Sequence, residues 1–177
     1  MEDELDEYRA FVRKVASEAG AKSILNRHKG HAAVIIAQSL RSSHDDVSFL
    51  TGHLNPEVYG SEEVVEAARA FLDSNPSARI RILHEEPLAP DHPLLALVNR
   101  PEYGDRVFIA PIPAALQEEY SFHFAIGDAK NLRFESAKTS YEAVVRFGDL
   151  ETGQRLLMFF DGLERDIQKT GASLVAA

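Results

Sequence analysis

The segment Ser121-Phe122-His123-Phe124-Ala125-Ile126-Gly127-Asp128 sets Phe122, Phe124 and Ile126 at every second position. Side chains alternate across a strand, so the spacing predicts a strand over 121–126 with one aromatic face, followed by a turn at Gly127-Asp128-Ala129. His123, between two phenylalanines, faces away from them. Residues 131–135 and 141–147 have the same character, so three strands follow one another with no helix between them, which implies an antiparallel section. Asp149 caps a closing helix striped by Leu156, Phe160, Leu163 and Ile167 beside Leu157 and Phe159. The tail 171–177 is expected to fray.

Upstream, strands alternate with helices. Residues 47–50 read as a strand closed by Thr51-Gly52-His53-Leu54-Asn55-Pro56. Residues 78–84 alternate Ile80 and Ile82 against Arg79, Arg81 and Leu83, and 106–109 form a further strand stopped by Pro111 and Pro113. Between them Ser61 caps a helix with Glu62 and Glu63 in its first turn, buried through Val64, Val65, Ala68, Phe71 and Leu72 and ended by Asn75-Pro76. A short helix over 92–98 is begun by Asp91. Residues 31–43 are apolar nearly throughout; Leu40 and the alanine-rich flanks carry the pattern beyond strand length and favour a helix.

Residues 2–20 read as a helix, with Leu5, Tyr8, Val12, Val15 and Ala19 on one stripe and Gly20 as its stop. The stripe either packs on the domain or zips to another copy, two heptads being too few to argue for a coiled coil. Strand–helix alternation implies parallel pairing with right-handed crossovers. The expected architecture is α/β: one mixed, mostly parallel sheet covered by helices on both faces, with an N-terminal helix at 1–25, an α/β domain at 26–170 and a flexible tail at 171–177.

A chain of 177 residues fits one domain with a core of its own. Its formal net charge of −9 repels polyphosphates unless basic residues gather on one face. The densest basic pieces are only Arg27-His28-Lys29 and Arg79-Ile80-Arg81, which argues against nucleic acid as a partner. The absence of cysteine excludes disulfides, thiol catalysis and zinc–thiolate sites. Met1-Glu2-Asp3-Glu4 is the reverse of a signal peptide's basic start, and the longest apolar run, 32–37, is too short to cross a bilayer. A cytoplasmic protein without membrane contact is the simplest expectation.

The order of elements resembles one half of the phospholipase D superfamily fold, in the form of small, single-half bacterial members that lack the catalytic motif. The likeness covers roughly residues 30–167. It rests on that order and on the segments 47–52, 79–83, 121–128 and 143–165. The family's signature, His-x-Lys-x4-Asp, is supplied once by each half: the histidine attacks phosphorus, the lysine neutralises phosphate charge and the aspartate orients the histidine. Here Asp128 aligns with the aspartate, Ser121 takes the place of the nucleophilic histidine and His123 that of the lysine. Two of three roles have changed, and losing a nucleophile removes several orders of magnitude in rate. The resemblance therefore implies fold and pairing of halves rather than phosphodiesterase activity.

Other constellations are weaker. The seven histidines (28, 31, 44, 53, 84, 92 and 123) lack a metal-ligand spacing such as His-Glu-x-x-His, even at His28-x-x-His31 and His44-Asp45-Asp46, so no metal is expected. His84-Glu85-Glu86 could be an acid/base cluster, but charge at a loop entrance is usually solvated. The single glycines are turn residues, and no phosphate loop or dinucleotide fingerprint implies a cofactor. His53 follows the C-terminal end of the strand at 47–50, where open α/β sheets place ligands. His53 and His123 are therefore the candidate ligand-binding residues. The leading expectation is a non-catalytic binding or regulatory domain whose partner is a second copy of itself or another protein, with the Leu5/Tyr8/Val12/Val15 stripe adding to a dimer contact. The alternative is a hydrolase acting on a phosphodiester or other small anion through His123 and Asp128, with Ser121 and His53 assisting.

Overall fold

The computed structural model describes residues 2–18, 22–139 and 142–171. In chain order the elements are α1 (Glu2–Ser17), β1 (Ser23–Asn26), α2 (Lys29–Arg41), β2 (Asp46–Thr51), α3 (Pro56–Tyr59), α4 (Glu62–Ser74), β3 (Arg79–His84), α5 (Pro93–Val98), β4 (Val107–Pro111), α6 (Ala114–Gln117), β5 (His123–Gly127), β6 (Asn131–Glu135), β7 (Ala143–Arg146) and α7 (Leu150–Lys169). Ala19 on the expected stripe, Gly20 as its stop, Tyr141 at a strand start and the tail beyond 171 lie outside the described residues.

The strands form one seven-stranded mixed sheet in the order β1-β7-β6-β5-β2-β3-β4. β2, β3 and β4 run parallel, as their intervening helices require. The expectation of a mostly parallel sheet is corrected, because β5 pairs antiparallel with β2, and β6, β7 and β1 continue antiparallel from it. Part of the difference is β1. Its four residues, Ser-Ile-Leu-Asn, are too few to display a period, and they join the sheet edge from a stretch assigned to the N-terminal helix.

Helices cover both faces. Val47, Phe49, Ile80 and Ile82 pack under Ile36 and Leu40 of α2 and Val64, Ala68, Phe71 and Leu72 of α4. On the opposite face Leu50, Leu83, Phe124, Ile126 and Leu132 meet Leu156, Phe160, Leu163 and Ile167 of α7. Each such side chain contributes about 1.5–3 kcal/mol on burial. The α2 helix is apolar nearly all round because its outer side, Val34 and Ile35, is covered by Val12 and Val15 of α1. The α1 stripe thus packs on its own domain, and the expectation that it adds to a dimer contact is corrected.

Local capping follows the sequence in two cases: Ser61 Oγ accepts from the Val64 N–H, and the Asp149 carboxylate from the Thr152 N–H. At α5 the cap is His92 rather than Asp91. Its Nδ1 accepts from the Leu94 N–H while Nε2 lies 2.7 Å from the Leu54 carbonyl, an arrangement that needs the neutral ring. Burial lowers its pKa accordingly.

Candidate functional site

Strand directions assemble the site. β5 is antiparallel to β2, and β6 to β5, so the start of β5 and the end of β6 lie beside the C-terminal ends of β2 and β3. Around that rim Thr51 ends β2 and Gly52 and His53 follow it, Glu85 and Glu86 follow β3, His123 opens β5, Glu135 ends β6 and Lys138 stands in the loop after it. Together they enclose a cavity of about 330 Å³, which Ala32 of α2 and Val58 and Tyr59 of α3 also line.

His123 is the centre of this arrangement. Its side chain is only 9% exposed, with Nδ1 3.7 Å from Glu135 Oε2 and Nε2 3.4 Å from Glu85 Oε2. Nε2 makes no hydrogen bond within the protein. Gly52 lies against the ring, where an added Cβ would stand 3.4 Å from His123 Cε1.

The two carboxylates are held by cations. Lys138 Nζ lies 2.6 Å from Glu85 Oε1, donates to the Gln117 carbonyl and sits 4.0 Å above the centre of the Tyr120 ring. Arg133, buried, donates to Glu135 and, through Nε and the second amino group, to Asn26 Oδ1. Burial pushes both carboxyls up. For Glu85 the ion pair with Lys138 and the neighbouring Tyr120 phenol and His123 ring prevail; for Glu135 His123 and Arg133 do, and both groups end below the usual carboxylate range. Burial raises the phenols of Tyr59 and Tyr120, helped by Glu135 and Glu85 respectively.

The structure brings His53 and His123 to one cavity, on the rim where His53 was expected. It does not bring Ser121 or Asp128 there. Ser121 is exposed just before β5. Asp128 lies beyond the other end of that strand, about 16 Å away at the ordinary strand rise. Its carboxylate accepts from the backbone N–H groups of His44, Asp45 and Asp46. Glu85, expected to be solvated, has a side chain only 10% exposed and is a wall of the site. Arg133, Glu135 and Lys138 were not singled out. Alternation offered a signal for two of them, since Leu132 and Phe134 face α7 and so turn Arg133 and Glu135 toward His123, the register partner of Glu135.

Other histidines have local roles. His31 stacks on Tyr8 at 3.7 Å and meets His28 edge-on, and His44 Nδ1 lies 2.8 Å from the exposed Asp45 carboxylate. Among the described residues no three His, Cys, Asp or Glu side chains are grouped to hold a metal ion, and no helix is long and apolar enough to cross a membrane.

Several solved structures share the fold, two of them as follows. NucT from Helicobacter pylori superposes with a TM-score of 0.55 at 13% identity, over 82% of this chain and 97% of that one. TrmBL2, an archaeal chromatin protein whose structure shows a novel mode of DNA binding, superposes with a TM-score of 0.53 at 13% identity, over 95% of this chain and 59% of that one. At such identity the likeness concerns the fold alone. No curated protein matches the chain in sequence. The model of a family described as a domain of unknown function, DUF7931, matches residues 27–164, and the chain belongs to that family.

Proposed function

We propose that this chain is a phospholipase-D-like domain that binds a small polar ligand in the His123 cavity, acting as a non-catalytic binding or regulatory protein and working as a homodimer. One observation carries the reading: the three motif positions do not converge. His123, in the lysine's place, is clamped between Glu85 and Glu135, while Ser121, in the nucleophile's place, is exposed and Asp128 binds backbone. The likeness to NucT supports the fold part of the reading.

The dimer draws support from an apolar row on the α7 face. Register aligns Leu25, Val144 and Phe134 across β1, β7 and β6, and Leu25 is 63% exposed. Closing such a row against a second copy removes apolar surface from water. A DNA partner, in the manner of TrmBL2, has less in its favour, given a net charge of −9 and three glutamates at the cavity.

The test is turnover of bis(4-nitrophenyl) phosphate by the purified chain, beside its mass in solution. No turnover above buffer, a dimeric mass, and a monomer for Leu25→Glu are expected. Turnover abolished by His123→Ala would overturn the reading in favour of a hydrolase. That second reading has its own support in the unbonded Nε2 of His123 facing the Glu85 carboxylate, an arrangement suited to acid–base work.

A further inference from the structure

We infer that the ligand of this cavity is a neutral polyol, a sugar or the ribose of a nucleoside, with one hydroxyl seated between His123 Nε2 and Glu85 Oε2. The inference rests on the binding reading above and names the ligand's chemistry.

The starting point is an unmet buried group. His123 is nine-tenths buried, its Nε2 makes no hydrogen bond, and it lines an open cavity. Buried polar atoms in folded proteins are nearly always paired, with protein, water or ligand. Glu85 Oε2 stands 3.4 Å away, so a ligand oxygen seated beside the pair could bond to both at about 2.8 Å. The group placed there must donate to an ionised carboxylate and also satisfy an imidazole nitrogen. A hydroxyl, with one donor and two acceptor lone pairs, does both.

Charged groups fit less well. A phosphate oxygen at that point would press against the Glu85 carboxylate, with Glu135 on the other side of the ring. The nearby cations are engaged: Arg133 with Glu135 and Asn26, and Lys138 with Glu85, the Gln117 carbonyl and the Tyr120 face. At Glu85 an ammonium group would compete with Lys138, which already stands 2.6 Å from Oε1. Of the remaining polar lining, Thr51, Asn55, Tyr59 and Thr139 offer hydroxyl and amide groups suited to further hydroxyls, and His53 and Glu86 add an imidazole and a carboxylate that can also bond to them. A cavity of about 330 Å³ is at the small end of ligand sites and matches a single sugar ring.

The test is an NMR titration of the isotope-labelled full chain with D-ribose, adenosine, inorganic phosphate and n-butylammonium, each to its solubility limit, following the Gly52 amide and the His123 ring. Saturable shifts with D-ribose or adenosine are expected, weakened at least about tenfold in Glu85→Gln, a folded Glu85→Gln being verified by its melting curve. Shifts with adenosine alone assign the diol to a nucleoside, and shifts with D-ribose assign it to a free sugar. Shifts with phosphate or butylammonium but neither polyol overturn the ligand class and leave the binding reading standing. If no probe moves these signals, the binding reading falls and the inference with it.

Discussion

Lys138 Nζ lies 2.6 Å from Glu85 Oε1, so the loop after β6 is tied across the cavity to the loop after β3. The pair has a pH signature. Burial pushes the Glu85 carboxyl up, but Lys138, Tyr120 and His123 bring it below its ordinary 4.5. A value depressed on folding gives stability that is full above the unfolded value and lost as pH falls through the folded one. Lys138→Met should therefore destabilise the protein by about 1 kcal/mol at neutral pH, a modest figure because the lysine is partly open to solvent. Urea denaturation should bring variant and wild type together once the pH is well below 4.5.

Much of the fold was legible where one face of a strand carries a distinct residue type: the β5 reading from Phe122, Phe124 and Ile126 placed the aromatic face and the turn. What escaped has physical reasons. β1 is too short for a period, and α1 and α2 hide each other's outer faces, so Val12, fully buried, could pass for a dimer contact. In the site, His53 and His123 could be placed by strand ends. Glu85 and Lys138 come from loops, where no periodicity says which way a side chain points, and only the fold decides that Glu85 turns inward.

Asp128 has a positive φ of 49°, followed by Ala129 at 53°, and its carboxylate ties three backbone N–H groups of the α2–β2 connection. Hydrogen bonds to a charged group contribute about 1.5–3 kcal/mol. Asp128→Ala should lower stability by about 2 kcal/mol or more, with Asp128→Asn between it and wild type. Ligand affinity at His123 should be unchanged in the folded variant. A selective loss of affinity with stability intact would instead give Asp128 a role in the site.

Arg81 on β3 reaches α7, with its guanidinium at Asp161 (2.7 Å), Glu164 (2.8 Å) and Asp46 (3.1 Å) and over the Phe160 ring. These acids raise its pKa against the opposing effect of burial. Arg81→Met would leave Glu164 largely buried without its counter-ion and Asp46 with only the exposed Arg79, and should destabilise by about 3 kcal/mol. Arg81→Lys, with a single point charge in place of a fork, should recover only part of it in the same denaturation assay.

Two glycines of α7 make a matched test of how the helix is seated. In the middle of a helix, alanine is ordinarily favoured over glycine by about 0.5–1 kcal/mol. At Gly162 an added Cβ meets nothing within 4 Å, so Gly162→Ala should raise the melting temperature. At Gly153 the same methyl would run into the carbonyl of Ala129, in the turn between β5 and β6. That obstacle is backbone, held in place by the Asp128 bonds and the Lys130 N–H to Gly127 carbonyl bond, and it cannot rotate aside. Gly153→Ala should therefore destabilise by about 1–3 kcal/mol despite its better helix propensity. Opposite signs for the two substitutions would establish that α7 is seated on the turn that carries Asp128. A stabilising Gly153→Ala would mean that helix and turn are further apart than this packing requires.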